Sequence, residues 1–289
     1  MESTASLLEQ LPSWRAGRTR EALVDFLLRS TNGETAVPVA ARIAAFDNDG
    51  TMACEKPQTS IAAFASRISG ESAGPLAALA DGERRASPGL GPGAEDRLAE
   101  LTKGWTVQQF DATASRFLSE DRHPRWGLTW PDLVYAPMRE LLDVLLRIDF
   151  TVFLVSGSSR DFLRAMAQTA YGLTREHIVG TEVDVDYRDG RLVRTATVHD
   201  VDLGAGKPSH LWDRSGGVPL LAAGNAHTDI DMLDMARFAL VVDHDDPVRE
   251  YAYADDEIRR TAEDRGWTVA SVRDDFGVVF GGRSRLTDP

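Results

Sequence analysis

"AAFDNDGTMACEKP", Ala44 to Pro57, sets two aspartates, Asp47 and Asp49, directly behind an apolar run. A short apolar run bounded by turn residues is the pattern of a strand buried on both faces, as in a parallel sheet. "FTVFLVSGSS" from Phe150, "VPLLAAGNA" from Val218 and "FALVVD" from Phe238 repeat that pattern. Helical periodicity precedes and separates them: over residues 20–30, in "APMRELLDVLLRI" from Ala136, and in "RDFLRAMAQTAYG", stopped by Gly172. Strands alternating with helices predict an α/β chain, a Rossmann-like parallel sheet with helices on both faces. "EVDVDYRDGRLVRTATV" departs from this, alternating around Asp189-Gly190 as a hairpin does.

Residues 58–130 change character. "SIAAFASRISG" and "TVQQFDATASRFLSE" read as helices, no strand is expected, and Gly and Pro are dense from Gly70 to Gly93. The expectation is a helical cap over 58–130 inserted into a core built from 1–57 and 131–289. The Gly- and Pro-rich stretch fits a lid or a plain loop equally.

Composition narrows the partners. A net charge of -13 argues against a nucleic-acid backbone, which needs a basic stripe. One cysteine, Cys54, excludes an internal disulfide and a cysteine-rich zinc site. The start of the chain lacks a basic, apolar and small-residue succession, and no run reaches membrane length. A cytoplasmic protein without a membrane partner is therefore expected; the oligomeric state stays open.

In open parallel sheets the functional edge lies beyond the carboxyl ends of the strands. Asp47 and Asp49 follow the first strand, Ser156 and Gly157 the second, Asn225 and Asp229 the third, and Lys207 stands before Pro208 at a helix start. Two carboxylates about 4 Å apart repel by roughly 4 kcal/mol at an effective dielectric near 20, so Asp47, Asp49 and Asp229 call for a cation. Oxygen donors without sulfur or imidazole favour magnesium, and magnesium with few protein ligands commonly serves phosphate. Lys207, one of three lysines, sits where a helix dipole opposes it unless an anion intervenes.

In order and spacing these residues resemble the haloacid dehalogenase superfamily, and its phosphoserine-phosphatase-like branch in particular. "FDNDGT" is similar to the first motif, "FLVSGSS" to the second, Lys207 to the third, and "GNAHTDIDML" to the fourth, from Asp47 to Leu233. The resemblance implies a magnesium-dependent phosphatase for a small phosphorylated metabolite. Asp47 would form an aspartyl-phosphate and Asp49 would act as acid and then base. Asn48 between them would turn away, since side chains alternate in extended backbone. Ser156, Gly157 and Lys207 would hold phosphoryl oxygens, while Asp47, the Asp49 carbonyl, Asn225 and Asp229 would form the metal set. A phosphotransferase such as a phosphomutase, or a phosphate-binding regulator without turnover, remains an alternative.

Two departures stand out. Asn225 replaces a common aspartate and leaves the site one negative charge poorer. Phosphoserine phosphatases carry a substrate-reading glutamate nine residues after the nucleophile; here Glu55 stands eight after Asp47. Cys54 is expected as a packed thiol, Asp243–Asp246 as a loop at a strand end, Asp184 and Asp186 as a solvated hairpin face, and Trp126, Trp130 and Tyr135 as packing.

Overall fold

A computed structural model describes residues 3–70 and 92–281. The Gly- and Pro-rich stretch, for which a lid and a plain loop were both open, thus lies from 71 to 91 outside the described residues.

The apolar runs form the expected sheet. Strands β1 (Ile43–Phe46), β2 (Thr151–Ser159), β3 (Ile178–Thr181), β6 (Leu221–Gly224), β7 (Phe238–Asp243) and β8 (Thr268–Ser271) pair in the order β3-β2-β1-β6-β7-β8. Every neighbouring pair is parallel. β1 lies centrally, with β2 on one side and β6 on the other, so the chain reverses its winding there, the switch point at which open α/β sheets generally bind ligands. β3 and β8, four residues each at the edges, go beyond the strands expected from sequence.

Alternation along the strands explains the two faces. Ala44 and Phe46 point into one apolar cluster with Val152 and Leu154; Ile43 and Ala45 point into the other with Phe153 and Val155. The first face is covered by helices α2 (Arg18–Thr31) and α6 (Ala136–Arg147), through Leu23, Leu27, Leu141 and Leu145. The second is covered by α8 (Gly206–Ser215), α9 (Ile230–Met235) and α10 (Asp256–Arg265), through Leu211, Met232, Leu233 and Ile258. α1 is the short helix Thr4–Glu9.

In the insert, α3 (Ser60–Ser69) is capped by the Thr59 hydroxyl, and α5 (Val107–Glu120) by a reciprocal Thr106–Gln109 capping box. Between them α4 (Pro92–Thr102) forms where no helix was expected. Phe64 of α3 meets Phe110 at 5.7 Å and Phe162 of α7 (Arg160–Met166) at 5.2 Å, so the insert packs into the larger apolar cluster. Full burial of one such ring contributes about 2–3 kcal/mol. The hairpin of β4 (Val183–Arg188) and β5 (Arg191–Val198) forms its own two-stranded sheet, with Asp184 and Asp186 exposed. It is tied to the α4–α5 link: Gly104 N donates to Arg194 O at 3.0 Å and Arg194 N donates to Trp105 O at 2.8 Å.

Candidate active site

The chain leaves β1 under tight backbone control. Asp47 N donates to Ala223 O at 2.9 Å, carrying the ladder one residue past β1. The Asn48 carbonyl then accepts from Met52 N at 2.9 Å and Ala53 N at 3.0 Å, closing the turn. Gly50 has φ 81°, and a Cβ there would collide with the Asn225 amide; only glycine fits. Asn48 does turn away, its Oδ1 accepting from the buried Tyr171 hydroxyl at 2.6 Å.

Lys207 sits between two acids. Its Nζ donates at 2.6 Å to Asp47 Oδ1, at 2.6 Å to Asp229 Oδ1 and at 3.3 Å to Val155 O. The side chains of Lys207, Asp47 and Asp229 are all buried. An ammonium has three protons, so this arrangement uses every one. Burial works against the Lys207 charge, but Asp229, Asp47 and Asp202 outweigh it and raise its pKa above the ordinary lysine value. Burial and then Asp229 push the Asp47 carboxyl well above its ordinary range, against the pull of Lys207. Asp229 Oδ2 accepts from the backbone amides of Asn225 at 2.9 Å and Ala226 at 3.0 Å. Gly224 permits this approach, since a Cβ there would sit 2.5 Å from that of Asp229.

Asp49 belongs to a neighbouring pair. Its Oδ2 accepts from Ser158 Oγ at 2.7 Å, and burial raises its pKa against that hydrogen bond. Ser156, expected to face phosphate, is 1% exposed, and its Oγ accepts from Ser158 N at 3.1 Å. Ser158 was not singled out from sequence. Its place two residues after Ser156 on an extended segment was the available signal, because alternate residues share a face. Gly157 packs where a Cβ would strike Leu203, and its carbonyl accepts from Thr181 Oγ1 at 2.7 Å.

Asn225 and Glu55 meet on the other side of Gly50. Asn225 Nδ2 donates to Glu55 Oε1 at 3.3 Å, and Thr51 Oγ1 donates to Asn225 Oδ1 at 3.2 Å. Glu55 is buried, which raises its pKa, with Lys56 opposing. Below the loop, His244 Nε2 approaches Gly50 O at 2.7 Å and its Nδ1 approaches Glu250 Oε2 at 3.1 Å. The Asp243–Asp246 run is thus more than a loop at a strand end, since His244 within it braces the turn beside Asp49. Tyr135 and Cys54 both donate to Glu250 Oε1, at 3.2 and 3.3 Å. Cys54 is a packed thiol, pushed well up by burial and then by Glu250.

The rim gathers the Asp47, Asp49 and Asp229 carboxyls and the Lys207 ammonium, and its donors are oxygens, a set suited to a hard divalent cation. The fit is one of charge and donor type. Among the described residues no group of three His, Cys, Asp or Glu side chains stands ready as a metal cage, and Lys207 takes the convergence of Asp47 and Asp229. Asp47 Oδ2 has no hydrogen-bond partner among the described residues. Among those residues, too, no helix is long and apolar enough to cross a membrane.

Solved structures share the fold, two of them as follows. A protein of unknown function from Bordetella pertussis Tohama I is 19% identical, over 79% of this chain and 98% of that one, with TM-score 0.53. A conserved protein of unknown function from Anaerococcus prevotii DSM 20548 is 13% identical, over 87% and 91%, with TM-score 0.56. A phosphoserine phosphohydrolase-like protein from Francisella tularensis subsp. tularensis SCHU S4 is 16% identical over 79% and 94%; its TM-score of 0.47 carries no weight for substrate. No curated protein matches the chain in sequence. The sequence model of the haloacid dehalogenase-like hydrolases matches residues 44–234, the span that holds Asp47, Asp49, Ser158, Lys207 and Asp229, and the chain belongs to that family.

Proposed function

We propose that the chain is a magnesium-dependent phosphatase that hydrolyses a small phosphomonoester through an aspartyl-phosphate on Asp47. The observation that carries this is the Asp47–Lys207–Asp229 contact at the carboxyl end of β1, with Asp49 two residues on.

Lys207 holds Asp47 through Oδ1, which leaves Oδ2 as the nucleophilic oxygen. Asp229, fixed by two backbone amides, holds Lys207 in turn. Asp49, whose raised pKa suits a proton donor, protonates the leaving oxygen and then takes a proton from water. Ser158 orients Asp49 through its hydroxyl. Because its protons are taken by Asp47, Asp229 and Val155, Lys207 acts on the phosphoryl group by charge across Asp47. Ser156, Gly157 and the backbone amides after β2 are the remaining candidates for binding phosphoryl oxygens. Magnesium, held by Asp47 and the Asp49 carbonyl with Asn225 and Asp229 around it, would offset the negative charge on the phosphate.

The test is phosphate release from p-nitrophenyl phosphate. Turnover is expected with magnesium, and its loss with EDTA or in Asp47→Asn. Undiminished release in Asp47→Asn would sink the aspartyl-phosphate, and phosphate binding without release would favour a regulator. A phosphomutase would show itself by transfer to an added alcohol.

A further inference from the structure

Tyr171 is a tyrosine where packing alone asks for no hydroxyl. It is fully buried in the larger apolar cluster, and its hydroxyl donates to Asn48 Oδ1 at 2.6 Å. A phenylalanine would fill that place without a polar atom that must find a partner once buried. The backbone that delivers the ring is specialised too. α7 ends at Met166 and runs on as a single π-helical turn, Ala167–Tyr171, a wide turn that is rare in proteins and frequent at functional sites. Arg139, held by the Asp143 carboxylate, donates from Nη1 to Ala170 O at 2.6 Å, and Gly172 closes the turn at φ 68°.

Asn48 lies between the proposed nucleophile and the proposed acid, and it is pinned from two sides. Its carbonyl accepts from Met52 N and Ala53 N, and its side-chain oxygen accepts from Tyr171. With Oδ1 committed, Nδ2 is the end left over; it is buried and has no partner among the described residues. Buried donors without an acceptor are rare, and a catalytic role is one of the few reasons to keep one. The neighbouring acceptor is the Asp49 carboxyl: burial raises its pKa, while Ser158 and then the Asn48 amide hold it down. Ser158 Oγ donates to Asp49 Oδ2 at 2.7 Å, and a carboxylate has acceptor sites to spare.

We propose that Tyr171 and Asn48 form a positioning pair for Asp49. The Tyr171 hydroxyl fixes the Asn48 amide, and with it the chain between Asp47 and Asp49, so that the Asp49 carboxyl faces the leaving oxygen. Asp47 Oδ2 bonds to phosphorus as the bond to the leaving oxygen breaks; that electron pair goes to the oxygen, which takes the Asp49 proton. The Asp49 carboxylate so formed is met by Ser158 Oγ and Asn48 Nδ2. Tyr171 and Asn48, both wholly buried, act through Asp49 rather than on the phosphate. The proposal rests on the phosphatase reading of the same site.

The test is leaving-group dependence, because p-nitrophenolate departs with little help and phenolate needs a proton. With magnesium present, kcat/KM is measured for p-nitrophenyl, p-chlorophenyl and phenyl phosphate. The wild type is expected to decline least along that series and Asp49→Asn most. Tyr171→Phe is expected between them, with phenyl phosphate losing about tenfold more than p-nitrophenyl phosphate, part of what general acid catalysis typically supplies. Asn48→Ala should steepen the series likewise, and adding Tyr171→Phe to it should change the slope no further. Equal proportional losses across the three esters, whatever the melting temperature, mark the bond as structural and overturn the proposal. A further change of slope in the double variant also overturns it, since Tyr171 would then not act through Asn48. Where one single variant does not fold, the other decides by the same criterion. Wild-type protein that releases no phosphate from any ester strikes the phosphatase reading and this proposal with it; an active wild type whose slope the variants leave unchanged strikes the positioning pair alone.

Discussion

Lys207 decides how the acids at the end of β1 coexist. Its ammonium touches Asp47 and Asp229 at 2.6 Å each, in a place from which water is nearly absent. Lys207→Met keeps the length of the side chain and removes the charge. Breaking a buried pair from one side costs about 3–5 kcal/mol, and here two carboxylates lose their partner together. The variant is expected to melt well below the wild type and to release no phosphate from p-nitrophenyl phosphate. Unchanged melting would mean that the contact contributes nothing to the fold. The meeting of Asp47, Lys207 and Asp229 was legible in sequence because each stands at a strand or helix end on one rim of the sheet. Ser158 was not, since "SGSS" offers three hydroxyls and only the twist of the chain selects the one that meets Asp49. The Asn225 amide, expected in the metal set, links Thr51 to Glu55 in the fold by hydrogen bonds that the sequence does not show.

At the scale of elements, the Asp47–Glu55 turn is braced from β7. His244 stands just past that strand, and both of its ring nitrogens face acceptors, Gly50 O and the Glu250 carboxylate. Glu250 also accepts from Tyr135 and Cys54, so one buried carboxylate gathers three side chains. His244→Phe fills the volume but removes the ring nitrogens that face Gly50 O and Glu250. Each buried group left unsatisfied costs about 1–3 kcal/mol. The expected result is a loss of stability of that order, read by urea denaturation, together with a fall in kcat. His244→Gln, which can still donate to Gly50 O, should recover part of both. If Phe and Gln behave alike, the contact to Gly50 O does no positioning. The long strands and the hairpin were legible in sequence because their periodicity and the Asp189-Gly190 turn are local signals. β3 and β8 were not, being four residues each at sheet edges, where neighbours rather than pattern decide the backbone. Nor was α4, which begins in Pro- and Gly-rich sequence and is fixed by contacts with α3 and β5.

Over the whole molecule, the insert shares one apolar cluster with the sheet, and Phe64, Phe110, Phe117 and Phe162 form its joint. The joint carries Glu95 into a place that suits a charge poorly, so the pH dependence of stability should report on it. Its carboxyl titrates near 8 in the fold against an ordinary 4.5. The folded state therefore holds a proton that the unfolded chain has already released between those values. Stability falls as pH rises through that window, and the full penalty is reached above the folded pKa. At about 1.4 kcal/mol for each tenfold change in proton affinity, the penalty is at most about 5 kcal/mol. Arg194, Asp49 and Asp96 are the charged groups that face it, and none is changed by Glu95→Gln. Near pH 4.5 the variant and the wild type should unfold with nearly equal free energy. From there to pH 8 the variant should gain steadily on the wild type and then hold a constant lead. Denaturation in urea at half-unit steps of pH measures this directly. A flat difference across the window would mean that Glu95 is not held as a buried acid.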